Sequence, residues 1–108
     1  MSHATNGRAR EHRVSDHMTR RRWIQVARSA GSKGAADLIM VHPVFGLALV
    51  QVGTEKSKKL GPADRDRLVT LADLCSALPL VALCAQGRTP RFLQATRDVP
   101  STWDEVTV

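Results

Sequence analysis

The sequence predicts a single α/β domain in which a mixed central sheet is flanked by helices, with the element order α-β-β-β-α-β-β. Three observations predict it. Short apolar, β-branched runs recur along the chain, a stretch of helical period separates the third run from the fourth, and 108 residues with 43% hydrophobic content suffice for one core.

Residues 1–6 (MSHATN) carry no periodicity and are expected to be disordered. From Gly7 to Arg22, Ala9, Val14 and Met18 form a sparse apolar stripe among charged residues, which predicts a helix with one buried edge. WIQVARS (23–29) alternates Trp23, Gln25 and Ala27 with Ile24, Val26 and Arg28 and predicts the first strand. The glycine-containing loop AGSKGA follows. ADLIMVH (36–42) is apolar apart from Asp37 and ends at Pro43, which cannot donate to a sheet ladder; it is the second strand. After a turn over 43–46, LALVQVG (47–53) is the third, its near-continuous apolar character predicting burial on both faces.

At Gly61-Pro62 the period changes. Pro62 suits a first helical turn, and Asp64 and Asp66 suit the positive end of the helix dipole. Leu68, Leu71, Ala72, Cys75 and Leu78 recur at three- and four-residue spacing until Pro79 is expected to stop the helix. LVALCA (80–85) and RFLQAT (91–96) are the fourth and fifth strands, joined through AQGRTP. Residues 98–108 are Pro-interrupted and are assigned no structure, although Trp103 is expected to pack. The domain thus spans 7–97, between a disordered N-terminus (1–6) and a C-terminal tail (98–108), and no internal repeat is visible.

Composition narrows the function. No apolar run approaches the ~18 residues that span a bilayer, and MSHATNGRAR lacks the apolar segment of a secretory signal, so a soluble, cytoplasmic protein is expected. Cys75 and Cys84 lie in apolar runs and are expected to be buried free thiols. The four histidines fit no metal-ligand spacing, and His12 with Asp16, four apart, reads as a solvated surface pair. The formal charge is +6, and it lies wholly in the first third: Arg8, Arg10, Arg13, Arg20, Arg21, Arg22, Arg28 and Lys33 face only Glu11 and Asp16. A block of this kind suits a polyanion, nucleic acid above all, or else forms a solubilising basic face or a disordered arm.

Asp37 and Gln51 are isolated polar residues in otherwise apolar strands. An unpaired buried polar group costs about 1–3 kcal/mol, so each needs a partner. Two readings are open. With Glu11 from the first helix, Asp37 and Gln51 make a set of three oxygen donors suited to Mg²⁺, with Mn²⁺ as a substitute. Alternatively, Asp37 caps backbone N–H groups as a structural residue.

These stretches resemble the PD-(D/E)XK nuclease superfamily and, within it, the archaeal-type Holliday junction resolvases, which also occur in phages and prophages. The resemblance covers about residues 7–97. It rests on "GRAREHRV" with Glu11, "ARSAGSKGAADLIMV" with Arg28, Ser32 and Asp37, "LVQVGTEKSKK" with Gln51, and the helix-strand unit "LADLCSALPLVALCA". The resemblance implies a restriction-endonuclease-like core and a Mg²⁺-dependent homodimer that cuts four-way DNA junctions. It further implies metal ligands Glu11, Asp37 and Gln51, and DNA contacts from Arg8, Arg10, Arg28, Ser29, Ser32, Lys33, Lys58 and Lys59.

Two residues depart from the family pattern. Its third strand reads acid-x-Lys, where this chain has Gln51-Val52-Gly53. Glutamine keeps an oxygen ligand but removes a negative charge. Glycine removes a cation that polarises the attacking water, a loss of about 10²- to 10³-fold for comparable donors. If the strand ends at Gly53, Lys56 is expected to fold back as the catalytic substitute, with Lys33 and Lys58 behind it. A non-cleaving DNA-binding module and a flap- or nick-directed repair nuclease are the competing readings.

Overall fold

The computed structural model describes residues 3–28, 35–55 and 60–108. Its elements are α1 (His3–Thr19), β1 (Ile24–Arg28), β2 (Leu38–His42), β3 (Gly46–Thr54), α2 (Pro62–Cys75), β4 (Leu78–Cys84), β5 (Arg91–Gln94), a 3₁₀ turn (Pro100–Thr102) and β6 (Glu105–Val106). The six strands lie in sequential order; β3 and β4 are parallel and every other neighbouring pair is antiparallel. The α/β class, the mixed sheet and the order α-β-β-β-α-β-β are as the sequence predicts, with one more strand at the end.

Strand alternation divides the core between two faces. Leu38, Met40, Ala48, Val50, Leu80 and Ala82 pack with Val14 and Met18 of α1, whereas Leu49, Val81, Leu83 and Leu93 pack with Leu68, Val69 and Ala72 of α2. Each such Leu or Val contributes about 1.5–3 kcal/mol when fully buried, which is what holds both helices on the sheet. Among the described residues, no helix is long and apolar enough to cross a membrane.

Several expectations are corrected. Helix α1 begins at His3, inside the segment expected to be disordered, and Ala9 is exposed, leaving Val14 and Met18 as its buried stripe. The second helix does not run to residue 78. Ser76 adopts a left-handed conformation (φ 54°), and its N–H bonds the carbonyls of Ala72 and Asp73, closing the helix three residues before Pro79. Leu78 and Pro79 then belong to β4, where proline is tolerated near the strand's start. The buried stripe of α2 is rotated accordingly: Val69 joins Leu68 and Ala72, while Leu71 and Cys75 are exposed. Cys84 is the buried free thiol, and Cys75 is not.

The tail is structured. Trp103 lies in the α2-side core, its Nε1 donating to the Asp98 carbonyl at 3.1 Å, and β6 pairs with β5. Exposed Arg91 links three strands, donating to Glu55 beyond the end of β3 at 2.6 Å and to Glu105 of β6 at 2.7 Å. At such exposure each pair is worth only about 0.2–1 kcal/mol.

The β2–β3 turn is held by a buried histidine. His42 Nδ1 accepts the N–H groups of Val44 (3.0 Å) and Phe45 (3.3 Å), which puts the ring proton on Nε2 to donate to the Arg21 carbonyl at 3.1 Å. Trp23 and Phe45 enclose the ring, with centroids 5.0 and 4.7 Å away. His42→Ala orphans two donors and one acceptor at once, so a loss of about 2–3 kcal/mol is expected. Urea denaturation would show this as a lower midpoint at unchanged slope; an unchanged midpoint would refute the assignment.

Candidate active site

The β2–β3 ladder closes with the pair Leu38–Val50, and the residues one step further on are Asp37 and Gln51. Asp37 N–H still bonds the Val50 carbonyl at 2.8 Å, but the next backbone donor, Val52 N–H, is taken by Asp37 Oδ2 at 2.8 Å. The side chain stands where the ladder's next carbonyl would be. Its carboxylate is thereby fixed at the end of the β2–β3 seam, with Oδ2 engaged and no hydrogen bond to Oδ1 among the described residues. The capping reading of Asp37 is correct for Oδ2.

Gln51 leaves β3 on the face shared with Leu49, the α2 side, and its Nε2 donates to the Ala35 carbonyl at 2.6 Å. Spending the nitrogen on a carbonyl leaves the amide oxygen as the atom a cation can use. The partners of Asp37 and Gln51 are main-chain groups, Val52 N–H and Ala35 C=O, which no side-chain pattern announces.

Glu11 reaches the same region from α1. Burial raises its pKa above the ordinary carboxylate value, and the Asp37 charge raises it further, against the opposing pull of Arg28, Arg8 and His12. Burial likewise raises Asp37, opposed by the Val52 N–H bond. Arg28, the last residue of β1, pairs with Leu38 in the ladder and sets its Nε 3.5 Å from Glu11 Oε1. Sequence reasoning assigned Arg28 to DNA alone; its pairing with Glu11 joins residues 17 positions apart, and no local spacing encodes it.

The site thus contains two partly desolvated carboxylates, Asp37 acting electrostatically on Glu11, with the Arg28 guanidinium beside Glu11 and the Gln51 amide anchored to the adjoining segment. Two carboxylates in a partly desolvated place favour protonation or a nearby cation. Among the described residues no three His, Cys, Asp or Glu side chains gather. Arg8 is exposed and contributes to the field at Glu11, whereas Arg10 is half-buried with its Nε unpartnered among the described residues.

The expected strand end at Gly53 is not found. β3 continues through Gly53 and Thr54, which pair with Leu83 and Cys84 of β4. Lys56, Lys58, Lys59, Ser29, Ser32 and Lys33, expected as the substitute lysines and DNA contacts, lie outside the described residues.

No protein-family model matches this sequence, and no curated protein matches it either. Among solved structures the fold is similar to that of Hjc from Archaeoglobus fulgidus, described as a Holliday junction resolvase from an archaeal hyperthermophile. The match has a TM-score of 0.68, covers 87% of this chain and 80% of that one, and carries 21% identity. At that identity the likeness establishes a shared fold.

Proposed function

We propose that this protein is a divalent-metal-dependent nuclease of branched DNA, with the four-way junction as its substrate and a homodimer as its working form. One observation carries the reading: Val52 N–H fixes Asp37 at the end of the β2–β3 seam, its charge acts on Glu11 of α1, and Arg28 of β1 pairs with that Glu11. The fold shared with a protein described as a Holliday junction resolvase supports it, as does the cationic first third of the chain.

In this reading Asp37, through its second oxygen, and Glu11 hold Mg²⁺ or Mn²⁺, and the Gln51 amide oxygen completes the protein's share of the ligands. The cation, when bound, supplies Lewis-acid polarisation of a phosphoryl oxygen and an acidified water. The chain's own residues do the rest. Val52 N–H fixes the Asp37 rotamer, Ala35 C=O fixes that of Gln51, and Arg28 neutralises charge next to Glu11, where a phosphate oxygen would approach. Gly53 offers no cation, and Lys56 is the stand-in we assign.

The absence of a lysine at position 53 also favours a second reading, in which the same surface binds junctions without cutting them. Incubation of the protein with a labelled synthetic four-way junction, a flap, a nicked duplex and a linear duplex, with Mg²⁺ or Mn²⁺, separates the two. Paired symmetrical incisions in the junction, absent in EDTA, are expected. Tight binding without incision under either metal favours the second reading, and preferential cutting of flaps or nicks identifies a repair nuclease.

A further inference from the structure

Arg13 and His17 of α1, and Arg20 one residue past its end with its N–H still bonded to Asp16 C=O, follow one another at four- and three-residue spacing and so share one flank. By the helical repeat this flank is turned away from Glu11. It faces the β4–β5 turn, and Arg88 and Thr89 of that turn form the opposite wall of a groove of about 340 Å³. The groove carries three guanidiniums against one carboxylate, Asp16.

Two features make it a formed site. Arg13 is held by the turn itself: its Nη2 donates to the Ala85 carbonyl at 3.1 Å and the Arg88 carbonyl at 2.8 Å, and among the described residues its other guanidinium donors make no hydrogen bond. His17 is packed on Phe92, with ring centroids 5.6 Å apart, and its Nδ1 lies 3.5 Å from Arg21 Nη1. Burial, with Arg21 and Arg20 beside it, keeps its pKa below the ordinary value, so it adds no further charge at neutral pH. The Arg20 and Arg88 side chains are exposed and form no ion pair among the described residues.

Guanidiniums match phosphate oxygens with paired, planar donors. Here they come from two separate elements, α1 and the β4–β5 turn, so a ligand that satisfies both must carry negative charge along its length. A sugar-phosphate strand does this. We propose that the groove is a second phosphodiester subsite, gripping the backbone of a nucleic acid strand across α1 from the Glu11–Asp37 pair, about one helix diameter (~10 Å) away.

The inference rests on the proposed function only for the identity of the polymer; it requires neither metal nor cleavage. Its test is therefore binding, read by fluorescence anisotropy in EDTA with a labelled four-way junction across a range of salt. Arg20→Gln/Arg88→Gln is expected to lower low-salt affinity by about 10- to 100-fold and to reduce the log–log salt slope by about 2. Arg88→Gln alone should cost about 5-fold, whereas Arg67→Gln on α2, which removes the same charge, should stay within about twofold.

Equal losses for Arg88→Gln and Arg67→Gln would mean long-range attraction alone and overturn the proposal, as would wild-type binding by the double variant. In a parallel melt with inorganic phosphate, stabilisation lost in the double variant together with unchanged DNA affinity would identify a small-anion site and also overturn it. If no junction is ever cut but the salt slope shifts as stated, the subsite stands and the nuclease reading falls.

Discussion

Asp37→Asn is expected to abolish metal-dependent cleavage, by about 10³-fold or more, while making the metal-free protein more stable. The two effects share one cause. Burial raises the pKa of both Asp37 and Glu11, and the Asp37 charge raises Glu11 further. A carboxyl whose folded pKa is raised stabilises the fold below its unfolded pKa of about 4, and that contribution is lost as pH climbs through the raised folded value. At neutral pH, without metal, the wild type therefore bears the cost of two ionised neighbours.

Asparagine removes one of those charges and keeps an oxygen to accept the Val52 N–H. At this half-buried, partly screened position the gain is about 0.5–1 kcal/mol, or roughly 2–6 °C in Tm. Melts in EDTA from pH 4 to 8 should show the wild type losing stability with rising pH more steeply than the variant. Mg²⁺ or Mn²⁺ should raise the melting temperature of the wild type at pH 7 and leave that of the variant unchanged. A variant less stable than wild type in EDTA at pH 7, or still stabilised by metal, would count against the site.

Trp103→Ala should cost about 3–5 kcal/mol, the range for removing a large buried aromatic from a core. Trp103 is 7% exposed and packs in the cluster that holds Leu49, Leu93 and Ala95 beneath α2. Its Nε1–H bonds the Asp98 carbonyl and its backbone N–H bonds Pro100 C=O, so the side chain is a plug seated by its own loop. The loss would appear as a large drop in both urea midpoint and melting temperature. A change below about 1 kcal/mol would mean that the tail only lies against the domain.

That tail marks where the sequence stopped being legible. The segments with strong apolar character are readable: the runs 36–42, 47–53 and 80–85 fall on β2 (Leu38–His42), β3 (Gly46–Thr54) and β4 (Leu78–Cys84) with ends off by one or two residues, and Pro62 marks the first residue of α2. The ends are not. Ser76 closes α2 in a left-handed conformation that serine rarely adopts, so Pro79 looked like the terminator. β6 is only two residues long and pairs through an edge, which leaves no periodic trace.

The site divides in the same way. Asp37 and Gln51 stand out because each interrupts an apolar run. The engaged oxygen of Asp37, the Ala35 anchor of Gln51 and the Arg28–Glu11 pair are long-range outcomes of register, which a linear pattern does not carry.

The sequential strand order has a further consequence for how the chain assembles. β1–β3 and β4–β6 are two antiparallel meanders made wholly of local pairings, and one parallel seam, β3 with β4, stitches them together. Hairpins close quickly, whereas the seam forms only after the chain has travelled out through α2 and back, so the rate of acquiring the native topology is governed by that single crossover. Asp37 and Gln51 sit on the first meander, and the Arg88 turn on the second. The two surfaces thus belong to different meanders, and their relative placement is set only when the β3–β4 seam has formed.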